Sequence, residues 1–273
     1  MRLFRLCVAG LFGVMLILFS IVFINKLINT DKTVPTIKIE EKEIWIPVSA
    51  TESEMLAGVT AYDEKDGDLT DNVIIQNLSN FTGSSTCTVT YMVWDSDNNY
   101  TSAKRTIHYT DYVPPHLTYN GPLMFQKSVA VNFRSVIGAT DIIDGDIGRN
   151  VIINSSNIDE SSEGDYEVIV TAFNSKGDRV TYNLPVTVYS TSTWNCEIRL
   201  SDYLVYAKVG SDLDFDSFVT GVYNRKEEAL SCPVIAKTYD VNFGKPGVYR
   251  VRYETDPDTE YVSFTYLTVI VEE

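Results

Sequence analysis

Cys87-Thr88-Val89-Thr90-Tyr91 alternates along its length, and the pattern returns as Tyr166-Glu167-Val168-Ile169-Val170 and as Tyr249-Arg250-Val251-Arg252-Tyr253. Successive side chains on a strand point to opposite faces. Cys87, Val89, Tyr91 and their counterparts can therefore line one buried face, leaving Thr88, Thr90, Glu167, Arg250 and Arg252 toward water. The repeat length of about 80 residues is too long for a solenoid and suits a small sandwich. A further apolar strand closes each repeat: Arg105-Thr-Ile107-His-Tyr109, Leu184-Pro-Val186-Thr-Val188 and Leu267-Thr-Val269-Ile-Val271. Asp66-Gly67-Asp68-Leu69 and Asp144-Gly145-Asp146-Ile147 supply turns in the first two repeats, and Gly164 and Gly247 lead into their strands. No long amphipathic helix is expected beyond the N-terminus. Short helical turns are expected at Ser53–Leu56 and Asp214–Phe218, where Ser or an acid precedes apolar residues.

Composition narrows the function. The chain has 273 residues and a formal charge of −15. An acidic surface argues against nucleic acid and against anionic lipid headgroups as partners. Leu6–Ile24 is a run of 19 uncharged residues, long enough as a helix to cross a hydrocarbon core of about 30 Å. Arg2 and Arg5 precede it, which puts residues 1–5 in the cytoplasm and everything after Asn25 outside. A cleaved signal peptide is the rival reading. Its apolar region is normally shorter and ends in a small-x-small site, which Asn25-Lys26-Leu27-Ile28-Asn29 does not offer. The expected order is a tail over 1–5, a membrane anchor over 6–24 and a linker over 25–34. β-Sandwiches follow over 35–112, 115–189 and 194–273. Pro114-Pro115 makes the first joint stiff; Ser190-Thr191-Ser192-Thr193 makes the second softer.

Gly58-Val-Thr-Ala-Tyr-Asp63, the turn DGDLTDNV over 66–73, and Thr88-Val-Thr-Tyr-Met-Val-Trp-Asp-Ser-Asp-Asn-Asn99 resemble the bacterial Ig-like repeat of cell-surface proteins. Its pattern runs V-T-A-x-D, then D-G-D-I/L-T, then G-x-Y-x-V-x-Y-x-V-x-D-x-x-G-N. The second repeat keeps Ile137-Gly-Ala-Thr-Asp141 and DGDI but has Gly148-Arg149 where the first has Thr70-Asp71. The third keeps Phe218-Val-Thr-Gly221 and GVYRVRY and lacks DGD. The resemblance covers residues 35–273 and implies an all-β chain of three tandem Ig-like sandwiches in an extracellular setting. It says little of function, because such modules serve many surface proteins.

Candidate sites are few. Asp63, Asp66, Asp68 and Asp71 crowd one turn, with Glu64 among them. Carboxylates at this density can hold Ca²⁺, although their spacing is not that of an EF-hand. Asp also shapes turns by accepting from nearby backbone N–H groups, which is the preferred reading here, with calcium as the alternative. No other cofactor is expected. Cys196 and Cys232, both in the third repeat, are candidates for a disulfide outside the reducing cytoplasm; two separate thiols are the alternative. Cys87 reads as a small buried apolar residue. Trp45, Trp94 and Trp194 read as core or joint-packing residues. His108 is expected to face solvent from its strand, and His116 lies beside the Pro-Pro joint. No nucleophile–base constellation or nucleotide motif appears, so an enzyme is not expected, although the abundant acids leave a glycosidase pair conceivable. The expected role is binding, adhesion or spacing at the bacterial envelope, meeting another protein or a wall polysaccharide. The alternative is the ectodomain of a receptor, sensor or wall-binding subunit that works with a membrane partner.

Overall fold

The computed structural model describes residues 2–83, 85–190, 194–237 and 241–273. Thr191–Thr193 of the second joint lie outside the described residues. Two compact units are formed, 1–111 and 112–273. Apart from the N-terminal helix and short helical turns, the fold is all β.

The first unit opens with α1 (Arg2–Asn29). Its window Val8–Asn25 is long and apolar enough to cross a membrane, and none of that window is buried by the rest of the protein. The strands follow as β1 (Thr36–Ile39), β2 (Glu43–Ile46), β3 (Val59–Asp63), β4 (Gly67–Asp68), β5 (Ile74–Leu78), β6 (Thr86–Trp94) and β7 (Tyr100–Tyr109). They form two sheets, β1-β3-β4 and β2-β7-β6-β5. All pairs are antiparallel except β2 with β7, which run parallel with Ile44 opposite Ile107. The alternation on β6 does what its sequence requires: Cys87, Val89, Tyr91 and Val93 are fully buried. Each such apolar side chain is worth about 1.5–3 kcal/mol in transfer from water. The short helix α2 (Glu52–Leu56) sits between β2 and β3. Its capping box is complete: Glu54 N–H donates to Thr51 Oγ1 at 3.3 Å and Thr51 N–H donates to Glu54 Oε2 at 2.7 Å.

The second unit contains two sheet pairs of the same plan. The first has β8 (His116–Tyr119), β9 (Met124–Gln126), β10 (Ile137–Asp141), β11 (Gly145–Asp146), β12 (Ile152–Ser156), β13 (Gly164–Phe173) and β14 (Arg179–Tyr189). They order as β8-β10-β11 and β9-β14-β13-β12. The second has β15 (Cys196–Leu200), β16 (Leu204–Lys208), β17 (Val219–Asn224), β18 (Ala229–Leu230), β19 (Val234–Ala236), β20 (Gly247–Thr255) and β21 (Phe264–Glu272). These order as β15-β17-β18 and β16-β21-β20-β19. Each pair encloses its own core, one around Val168, Val170 and Leu184, the other around Val251, Tyr253 and Leu267. The expected turn near Asp214 is a 3-10 turn over Phe215–Phe218, capped by the Asp214 carboxylate accepting from Asp216 N–H.

Arg250 is not turned to water: it stacks on Tyr266 and bonds Asp165 and Thr187. Strand β21, the apolar strand that closes the third repeat, is buried on both faces, because the two sheet pairs of this unit pack on each other.

Candidate metal centre

The acidic turn after β3 is built by its own carboxylates. Asp63 Oδ1 accepts from the N–H groups of Lys65 at 2.9 Å and Asp66 at 3.0 Å. Gly67, at φ +80°, then lets the chain reverse into β4. Asp68 Oδ1 accepts from Thr70 N–H at 2.9 Å. The Thr70 side-chain and backbone hydrogen bonds hold the Asp68 carboxyl below its usual range. Asp66 turns away to Ser96, accepting from its N–H at 2.7 Å and its hydroxyl at 2.9 Å. Asp71 is exposed on the 3-10 turn Thr70–Asn72. Turn-shaping is thus visible for Asp63 and Asp68, and the four acids proposed as one ligand set do not converge as a group.

The carboxylates that do converge are Asp31, Asp63 and Asp95. One oxygen from each lies within 4.8 Å of the others. Asp63 ends β3 and is 2% exposed; Asp95 follows β6 and is 8% exposed. Asp31 comes from the segment between α1 and β1. Asp95 Oδ1 accepts from the N–H groups of Asp97 and Asn99 at 2.9 and 2.8 Å, and its Oδ2 accepts from Asn99 Nδ2 at 2.7 Å. Asp31 Oδ1 and Oδ2 accept from the Thr33 N–H and hydroxyl at 2.9 and 2.8 Å. Those bonds, the backbone one first, lower the Asp31 carboxyl from its usual value. The Asp31 N–H donates to Asp97 Oδ2 at 2.8 Å, and its carbonyl accepts from Asn99 Nδ2 at 3.1 Å. Lys65 pairs with Asp97 at the rim. Asp63 Oδ2 is buried and has no hydrogen-bond partner among the described residues.

In the second repeat the matching corner is closed by neutral donors. Asp141 Oδ1 accepts from Ile143 and Asp144 N–H groups at 2.9 and 3.1 Å. Its Oδ2 accepts from Asn174 Nδ2 at 3.0 Å, and the same amide donates to the Tyr112 hydroxyl at 2.8 Å. In the third repeat Asn224 stands at the end of β17 and accepts from Lys226 and Glu228 N–H groups.

Cys196 and Cys232, the candidates for a bridge, stand as separate thiols. Both pack in the core of the last sheet pair. Burial, and next the neighbouring Cys232, push the Cys196 thiol up to about 11. Cys87 is buried, as expected. Trp194 stacks on Tyr189 with ring centres 4.4 Å apart, in keeping with a packing role. Trp45 is instead 64% exposed, on the edge strand β2, where it stacks on His108 at 4.8 Å. Trp94 is likewise exposed, beside Tyr100. His108 is half-covered by that stacking and bonds the Thr86 hydroxyl; His116 stacks on Tyr206.

No family model matches the chain. A curated relative is the pesticidal crystal protein Cry22Aa of Bacillus thuringiensis, 32% identical over 192 residues, which covers 65% of this chain and 26% of that protein. The chain therefore spans about a quarter of its relative's length. Among solved structures, a CBM51-2 and INT domain structure of Clostridium perfringens ZmpB is 20% identical, covers 59% of this chain and 30% of that one, and has a TM-score of 0.23. Drosophila N-cadherin EC1-3 is 13% identical, covers 89% and 90%, and has a TM-score of 0.33. Scores this low carry nothing about function.

Proposed function

We propose that the chain is a membrane-anchored surface protein whose three Ig-like sandwiches, over 35–112, 115–189 and 194–273, serve binding, adhesion or spacing at a bacterial envelope. The observation that carries this reading is the exposure of α1. The 18-residue window Val8–Asn25, apolar overall and with none of it buried within the protein, calls for a lipid environment, because a soluble surface rarely leaves so large an apolar patch in water. The Arg2/Arg5 bias favours the sandwiches outside. The repeated seven-strand plan supports a spacer or binding array rather than a catalytic scaffold, and the partner is another protein or a wall polysaccharide. The stretch shared with Cry22Aa is a quarter of that protein, so the pesticidal activity in its name is not carried over. Cells producing the full chain give the test. The protein is expected to stay with carbonate-washed membranes, and protease added to intact cells is expected to remove the sandwiches. A soluble form beginning near Asn29 in the medium would overturn the anchor.

A further inference from the structure

We propose that Asp31, Asp63 and Asp95 bind one calcium ion, which fastens the segment between α1 and β1 to the first sandwich. The proposal holds whether or not α1 lies in a membrane. Three carboxylates and no nitrogen or sulfur ligand make a donor set for a hard cation. Calcium binds oxygen at about 2.3–2.6 Å, so two oxygens on one ion stand at most about 5 Å apart; the trio lies within 4.8 Å. The remaining positions would be filled by water, as is common for this ion.

Density of acid alone would not make a site. The deciding feature is Asp63 Oδ2, on a residue only 2% exposed, with no donor to meet it among the described residues. A buried carboxylate oxygen without a donor is costly unless a cation satisfies it. Its twin in the second repeat shows what a corner without metal looks like. Asp141 Oδ2 is met there by the Asn174 amide, and the Tyr112 hydroxyl takes the third corner. The turns are otherwise alike: Asn174 Oδ1 accepts from Lys176 and Asp178 N–H groups as Asp95 Oδ1 accepts from Asp97 and Asn99. Two positions, Asp95 against Asn174 and Asp31 against Tyr112, thus turn a corner closed by neutral groups into one of three carboxylates. Asp31 gives the ion its mechanical consequence. It lies two residues past the end of α1, so an ion shared with Asp63 and Asp95 ties that segment to the ends of β3 and β6.

The test uses the full chain in detergent, stripped with chelator and titrated calorimetrically with CaCl₂ and, separately, MgCl₂. One saturable calcium site is expected, with magnesium at least tenfold weaker. Asp95→Asn, which copies the residue that forms the same turn in the second repeat, is expected to weaken calcium at least tenfold with an unchanged circular dichroism spectrum. Asp31→Asn, in a segment outside the sheets, is expected to do the same and serves if the first variant misfolds. Calcium is further expected to slow tryptic cleavage after Lys32 in the parent and not in the variants. Absence of saturable binding, or equal binding by both variants, overturns the site. Equal affinity for magnesium overturns the choice of calcium. Binding with an unchanged cleavage rate overturns the fastening.

Discussion

Arg250 reaches across the second unit to Asp165, with its Nη2 3.0 Å from Asp165 Oδ1. The same guanidinium donates to the Thr187 hydroxyl at 2.8 Å and lies over the Tyr266 ring, 3.9 Å from its centre. Arg250 belongs to β20, whereas Asp165 and Thr187 belong to β13 and β14, so one side chain joins the two sheet pairs. Because ion pair, hydrogen bond and ring contact are lost together, Arg250→Ala is expected to cost about 1–2 kcal/mol. Urea denaturation of the parent and variant measures it; an unchanged midpoint would show that the joint does not depend on this residue.

The same pair sets a pH dependence. Burial raises the Asp165 carboxyl, but the Thr187 hydrogen bond and Arg250 outweigh it, so the net direction is downward. A depressed carboxyl adds stability above its unfolded value and loses that contribution as pH falls through its folded value. The second unit is therefore expected to weaken below about pH 4, near the usual Asp value, and Asp165→Asn to remove part of that acid sensitivity. Thermal melts between neutral and acid pH decide this, with a parallel loss in parent and variant as the contrary result.

Two buried tyrosines tie their sheets to the turn that precedes the third strand of each plan. Tyr91 donates to the Met55 carbonyl at 2.5 Å, and Tyr253 donates to the Phe215 carbonyl at 2.8 Å. Tyr→Phe at either position keeps the ring and deletes the donor, at an expected cost of about 1–2 kcal/mol. The second repeat has Val170 at this place, fully buried. Equilibrium unfolding of Tyr91→Phe and Tyr253→Phe checks the figure, and a neutral effect would mean that the ring alone holds the turn.

Thiol reactivity should separate the cysteines. Cys232 is half-buried, whereas Cys87 and Cys196 are buried, and the Cys196 thiol is pushed up to about 11. Since the thiolate is the reactive form, iodoacetamide at neutral pH is expected to label Cys232 before Cys87 and Cys196 in the native protein. Mass spectrometry of the labelled peptides reads the order; equal labelling of Cys196 would contradict its burial.

Much of the scaffold is legible from local pattern. Alternation on β6, β13 and β20 announces buried faces, and the two Asp-Gly-Asp turns announce hairpins, because strand period and turn chemistry act over a few residues. What is not legible depends on distant pairing. Asp31, Asp63 and Asp95 meet only because β3 and β6 end at the same pole of the sandwich, so counting acids within one turn selects Asp66, Asp68 and Asp71 instead. The one local hint is that Asp95 begins an Asp-Ser-Asp-Asn-Asn turn where the second repeat has Asn174. Trp45 misleads because β2 is an edge strand, where an indole can lie outward on His108. Arg250 misleads because its strand forms a joint, a fact that alternation within one repeat does not carry.

The parallel pairing of β2 with β7 has a mechanical consequence. The strand near the start of the sandwich and the strand at its end run side by side in one direction, so the chain enters at one pole and leaves at the other. A pull between those poles, once β1 has yielded, slides β2 along β7. The hydrogen bonds around Ile44 and Ile107 are then loaded simultaneously, in shear, and must rupture together instead of opening one by one like a zip.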